Sequence, residues 1–137
     1  MIFFCFACIN TTNTFHQISI SGTIENPQEE GSFFISAHHA WFGEGLLRYP
    51  AAEFDQIQSD SPTFSWLLNV PVIEEAEGLI LYAWQDRDDD TVFCGLNAEE
   101  EFSGITKIND FPTFDAEVSI NLDHSCLGPE IIYSETE

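Results

Sequence analysis

Gly78-Leu79-Ile80-Leu81-Tyr82-Ala83-Trp84, running through Gln85 into Asp86-Arg87-Asp88-Asp89-Asp90, decides how the chain is read. Leu79, Leu81 and Ala83 oppose Ile80, Tyr82 and Trp84, so a strand here is apolar on both faces and belongs in the middle of a sheet. Where it should leave the sheet, four carboxylates stand within five residues. Like charges that close repel by about 1 kcal/mol or more per pair unless something positive neutralises them. The loop therefore suggests a hard cation, Ca²⁺, which takes oxygen ligands, with Asp86, Asp88 and Asp90 as its metal-binding residues.

Outward from this strand, period-2 alternation recurs and helical periodicity hardly appears. Ile18, Ile20 and Ile24 alternate with Ser19, Ser21 and Thr23; Phe33, Ile35 and Ala37 alternate with Phe34, Ser36 and His38 in a strand ending near Trp41. Phe64, Trp66, Leu68 and Val70 form a third strand stopped by Pro71, and Val118, Ile120 and Leu122 a half-exposed one near the end. Leu46–Tyr49 and Ser103–Ile108 are shorter candidates. About seven strands separated by turn signals predict an all-β chain, an antiparallel β-sandwich. One stretch, 50–58, carries Phe54 and Ile57 at i, i+3 spacing and reads as a single helical turn or a loop. The expected organisation is an apolar segment and polar tether over 1–16, a sandwich over 17–133 and an acidic tail over 134–137.

The charge balance narrows the partners. Twenty-four acidic side chains face three basic ones, for a formal −21 in 137 residues. Nucleic-acid binding needs clustered Lys and Arg, and docking on anionic lipid needs the same, so both are set aside. A solvated surface, a cation-binding surface and a decoy that mimics a polyanion remain. Apolar residues at 44% and 13 Phe are enough for a packed core, so the acidity does not mean disorder.

The start, Met1-Ile2-Phe3-Phe4-Cys5-Phe6-Ala7-Cys8, is far shorter than the ~20 residues of a membrane span. Ala7 before Cys8, then the Thr/Asn-rich Asn10–Thr14, resembles the end of a bacterial lipoprotein signal peptide, with Cys8 as the lipidation site; Cys5 and Phe6 depart from the usual lipobox. The other reading makes 2–6 the first core strand. If Cys8 is acylated, membrane contact is through that anchor alone. The CxxC at Cys5 and Cys8 has no second half with zinc spacing. Under export, Cys94 and Cys126 remain as a pair that loop ends could bring within disulfide reach, closing ~30 residues and stabilising by roughly 3 kcal/mol. The alternative is two buried thiols in a reducing cytosol.

The succession Ser21-Gly22-Thr23-Ile24, the strand 32–37, Thr63-Phe64-Ser65-Trp66-Leu67-Leu68-Asn69-Val70-Pro71, Gly78 before a strand and then an acidic Asp-x-Asp loop resembles the transthyretin-like (prealbumin-like) domains of carboxypeptidase regulatory type, over about Ile18 to Leu122. The resemblance implies a seven-strand Greek-key sandwich, transthyretin-like or Ig-like. It also implies an extracytoplasmic setting, at the cell surface or in the periplasm, and a non-catalytic binding or spacer role. It transfers no catalytic residue.

Set against a linear calcium loop, Asp86, Asp88 and Asp90 fill positions 1, 3 and 5, but Thr91 stands at position 6 in place of Gly and Asn97 at position 12 in place of a bidentate Glu. The loop is no EF-hand. Glu99, Glu100 or Glu101 could supply the missing ligand, and affinity is expected in the weak ~10⁻⁴–10⁻³ M range. The plain alternative is a solvated loop pinned by Arg87. His38 and His39 are neighbours on a strand and point to opposite faces, so they cannot share a metal. No nucleophile-base pair or catalytic motif is visible, and the chain is read as not an enzyme. Trp41, in the glycine-flanked Trp41-Phe42-Gly43-Glu44-Gly45, is the one aromatic considered as a contact for a protein or glycan partner, with anchoring of the core or of the loop itself as the leading alternative. The expected role is an exported surface accessory or adhesion-type module, with a cytosolic inhibitor or immunity-type protein that meets a basic partner as the rival.

Overall fold

The computed structural model describes residues 14–40, 53–72, 78–96, 100–108 and 110–135. The chain is mostly β, with two sheets and one short helix among those residues. The strands are β1 (Phe15–Glu25), β2 (Ser32–Ala40), β3 (Glu53–Ser59), β4 (Thr63–Pro71), β5 (Gly78–Asp86), β6 (Phe102–Ile108), β7 (Asp115–Asn121) and the two-residue β8 (His124–Ser125), followed by helix α1 (Pro129–Glu135). One sheet runs β4-β1-β7, the other β3-β2-β5-β6-β8. As the apolar run at 78–84 predicted, β5 sits in the middle of the larger sheet.

Alternation converts directly into a core. Ile18, Ile20 and Ile24 of β1, Phe64, Trp66, Leu68 and Val70 of β4 and Val118 and Ile120 of β7 meet Phe33, Ile35 and Ala37 of β2 and Leu79, Leu81 and Ala83 of β5 in one buried cluster. Each large aliphatic or aromatic side chain removed from water there contributes about 1.5–3 kcal/mol. The other face of β5 is covered as well. Helix α1 opens on Pro129, whose missing N–H and fixed φ suit a first helical position. It buries Ile132 and Tyr133, and Tyr133 forms a second cluster with Ala40 and Ile80, with Ile105 packed against it.

The structure corrects two expectations. The stretch at 50–58 is not a helical turn: Glu53–Ser59 is strand β3, with 50–52 outside the described residues. Ala37 pairs with Asp55 and His38 with Glu53, so Phe54 is the extra residue of a β-bulge. That bulge lets Phe54 and Ile57 both pack on the core despite i, i+3 spacing, which is what mimics helical periodicity. The sandwich is also not wholly antiparallel, because β1 pairs with β7 in parallel, Ser19 opposite Asp115 through Glu25 opposite Asn121. A parallel pair needs a long connection, and here β2 through β6 intervene between its members. The strand candidate Leu46–Tyr49, Trp41, Cys5 and Cys8 lie outside the described residues.

Candidate functional site

β5 and its neighbours deliver the acidic loop to one end of the larger sheet. Asp86 is the last residue of β5, opposite Ser32 in the ladder to β2. The preceding side chain, Gln85, is buried and stitches the β1–β2 turn beneath it. Its Oε1 accepts from the Gln28 N–H at 2.7 Å, and its Nε2 donates to the Gln28 and Glu30 carbonyls at 3.1 and 2.9 Å. Gly31, at φ 126°, completes that turn; a Cβ there would lie 1.9 Å from the Asp86 carbonyl oxygen. Only glycine lets the turn lie this close to the backbone of Asp86. From the loop itself, Phe93 packs on Trp84 and Tyr82, ring centroids 5.3 and 6.3 Å apart, while Trp84 stacks on Phe34. Trp84 is thus half-buried on the outer face and not part of the main core.

Within the loop, Asp88 Oδ1 accepts from the Asp90 N–H at 3.3 Å and Asp90 Oδ1 from the Val92 N–H at 2.7 Å, the local turns expected of Asp. Thr91 stands where a calcium loop places glycine, and its backbone takes the left-handed conformation such a turn requires, φ 61°. A β-branched residue there is strained, and the Thr91 N–H donates to Asp86 Oδ2 at 2.9 Å. Carboxylate oxygens of Asp86, Asp88 and Asp90 come within 4.8 Å of one another, so these three residues could hold a metal ion. Asp88 and Asp90 are exposed, whereas Asp86 is 1% exposed and its Oδ1 has no hydrogen-bond donor among the described residues. Reduced solvation in the loop, then the Asp90 and Asp86 charges, lift the Asp88 carboxyl above its usual range against the Asp90 amide.

Glu101 has a different part from the one its sequence position suggested. It is fully buried, and its two oxygens accept the Arg87 N–H at 3.0 Å and the Cys94 N–H at 2.6 Å. Both oxygens are therefore committed to loop amides, not to the carboxylate triangle. Burial, joined by the Asp86 and Asp88 charges and opposed by those amides, pushes its carboxyl above the usual range. Glu100 accepts from Ser125 Oγ, and its carbonyl takes a hydrogen bond from the Arg87 guanidinium at 3.0 Å. Asn97 and Glu99 lie outside the described residues. Sequence spacing had no means of singling out Glu101, because its burial and its bonds to the Arg87 and Cys94 amides exist only once the loop is folded.

Cys94, at the loop's far end, is disulfide-bonded to Cys126, Cα atoms 5.6 Å apart. His38 and His39 do point to opposite faces but are both buried: His38 Nε2 lies 2.8 Å from Ser36 Oγ, and the His39 ring packs on Phe54. A separate concavity of about 310 Å³ opens between β6 and β7, lined by Lys107, Asp110, Asp115 and Glu117. Among the described residues, Asp86, Asp88 and Asp90 form the one group of three metal-ligating side chains gathered this closely. Comparison with protein-family models, with curated proteins and with solved structures finds no match for this chain.

Proposed function

We propose that the protein is a non-catalytic, exported, acidic β-sandwich module, a surface accessory or adhesion-type binder stabilised by Ca²⁺ at Asp86, Asp88 and Asp90. The observation that carries this reading is the Asp86 carboxylate, buried with one oxygen undonated inside a triangle of three acids. A buried acceptor left without a partner costs about 1–3 kcal/mol, more when charged. A divalent cation supplies the missing partner and offsets the mutual repulsion, and an all-oxygen donor set suits Ca²⁺. The Cys94–Cys126 disulfide is compatible with an oxidising compartment, and no helix among the described residues is long and apolar enough to cross a membrane. The two-sheet architecture is compatible with the transthyretin-like, Greek-key reading, and lipidation at Cys8 with a protein or glycan partner at Trp41 belongs to the same proposal.

Thermal unfolding of the full, oxidised chain in millimolar Ca²⁺, Mg²⁺, matched NaCl and chelator tests it. Ca²⁺ at about 10 times its Kd should stabilise by about 1.4 kcal/mol. An equal rise in Mg²⁺ or NaCl would reduce the loop to screened surface charge and favour a cytosolic acidic protein that meets a basic partner, such as an inhibitor or immunity-type protein.

A further inference from the structure

The acidic loop is closed from both ends on one buried side chain. Arg87 follows the first ligand candidate and Cys94 ends the loop; both donate their backbone N–H groups to the Glu101 carboxylate, one to each oxygen. The Glu101 carbonyl in turn accepts the Cys126 N–H at 3.0 Å. Cys94 and Cys126 are joined through sulfur, and both hold left-handed backbones, φ 50° and 52°. Glu101 and the disulfide therefore form a ring of covalent and charge-assisted bonds behind Asp86, Asp88 and Asp90. The ring fixes both ends of the loop that gathers these three mutually repelling carboxylates.

We propose that Glu101 and the Cys94–Cys126 disulfide are a clasp that preorganises the cation site, so that opening the disulfide weakens cation binding. The inference rests on the cation reading above. The opening step is reduction by a dithiol: two electrons and two protons break the S–S bond and leave two thiols, while the dithiol becomes a disulfide. Cys94 then loses its tether and is free to leave its left-handed conformation, taking its amide from Glu101 and releasing one end of the loop. Carboxylate repulsion favours the opened state, in which the ligands must be regathered before a cation binds. Glu101 is a positioning residue here, acting through the loop amides.

The probe is Tb³⁺ alone, with Ca²⁺ as competitor, on the full chain. Trp84 lies two residues before Asp86 on the same strand, about 7 Å along the backbone, close enough to sensitise Tb³⁺ luminescence. The oxidised protein should bind saturably. Dithiol-reduced protein, the Cys94→Ser/Cys126→Ser double variant and Glu101→Gln should each bind at least about 10-fold more weakly, as loss of groups that orient metal ligands does elsewhere. All are measured below their unfolding temperatures, and Ile18→Val, a destabilised core variant near the start of β1, the end away from the turn that meets Asp86, should keep the oxidised affinity. Should the double variant fail to fold, Glu101→Gln and the reduced protein carry the comparison. Affinity unchanged in all three overturns the clasp while leaving the site standing; no binding by the oxidised protein overturns the site itself.

Discussion

Replacing Asp86 with Asn should reverse the stability order of two proteins depending on whether Ca²⁺ is present. Asn keeps an oxygen for the Thr91 N–H now held at 2.9 Å by Asp86 Oδ2 and removes the charge. Two carboxylates 4.8 Å apart repel by about 0.9 kcal/mol at the dielectric of water and about 3.5 at an effective value of 20. Asp86 takes part in two of the triangle's three pairs, so the relief is about 1.7 kcal/mol at the least. Against it stands a weaker bond to Thr91, because a neutral acceptor gives about 1 kcal/mol less than a charged one. In chelator the variant should therefore be more stable than the parent by about 1 kcal/mol, or about 3–4 °C for a chain this size. At 100 times the Kd, Ca²⁺ adds about 2.7 kcal/mol to the parent and nothing to the variant, so the parent overtakes it. Differential scanning calorimetry of both proteins in chelator and in Ca²⁺ reads the crossing. A variant less stable than the parent in chelator refutes the repulsion argument. One that still rises in Ca²⁺ places the cation elsewhere.

Two further outcomes are expected. Tyr133→Ala removes a fully buried ring from the cluster with Ala40 and Ile80 and should cost about 3 kcal/mol, read as a lowered urea midpoint; a cost below about 1 kcal/mol would mean that α1 does not hold the outer face of β5. His39 is buried, its Nε2 without a partner among the described residues, and burial holds its imidazole below the ordinary 6.5. The unfolded chain then binds more protons, so stability falls as pH drops through about 6.5 and levels off below the folded-state value. His39→Phe should remove that loss. The variant should gain on the parent between about pH 7 and pH 5 in urea titrations, whereas parallel curves would show that His39 does not titrate differently on folding.

Strand positions were legible because alternation is a local property, and Ile18–Ile24 or Phe64–Val70 needs no partner to declare its buried face. Strand direction is not local. The parallel pairing of β1 with β7 leaves Val118 and Ile120 alternating as they would in an antiparallel pair. The bulge at Phe54 is the same lesson at one residue: the ladder to β2 changes which residues face inward, and β3 took on a helical spacing. Helix α1 was illegible because it is seven residues long and lies on an outer sheet face that exists only once β5 is placed. At the site, the three Asp could be read from spacing and the Cys94–Cys126 pair as the two cysteines that export leaves over, but Glu101 looked like one acid in a run of them.

Acidity alone does not single out this loop in a chain with 24 carboxylates. Asp88, Asp89 and Asp90 are exposed and would be well hydrated in any acidic protein. The contrast that matters is between the two buried carboxylates the loop encloses. Glu101 shows how this fold satisfies such a group, with one backbone amide for each oxygen. Asp86 is equally withdrawn from water and receives an amide on one oxygen only. Burying an ionised oxygen with no donor is among the costlier states a side chain can adopt. That oxygen belongs to a residue whose neighbours present two more carboxylates within 4.8 Å, so a cation bound there would answer the burial and the repulsion together.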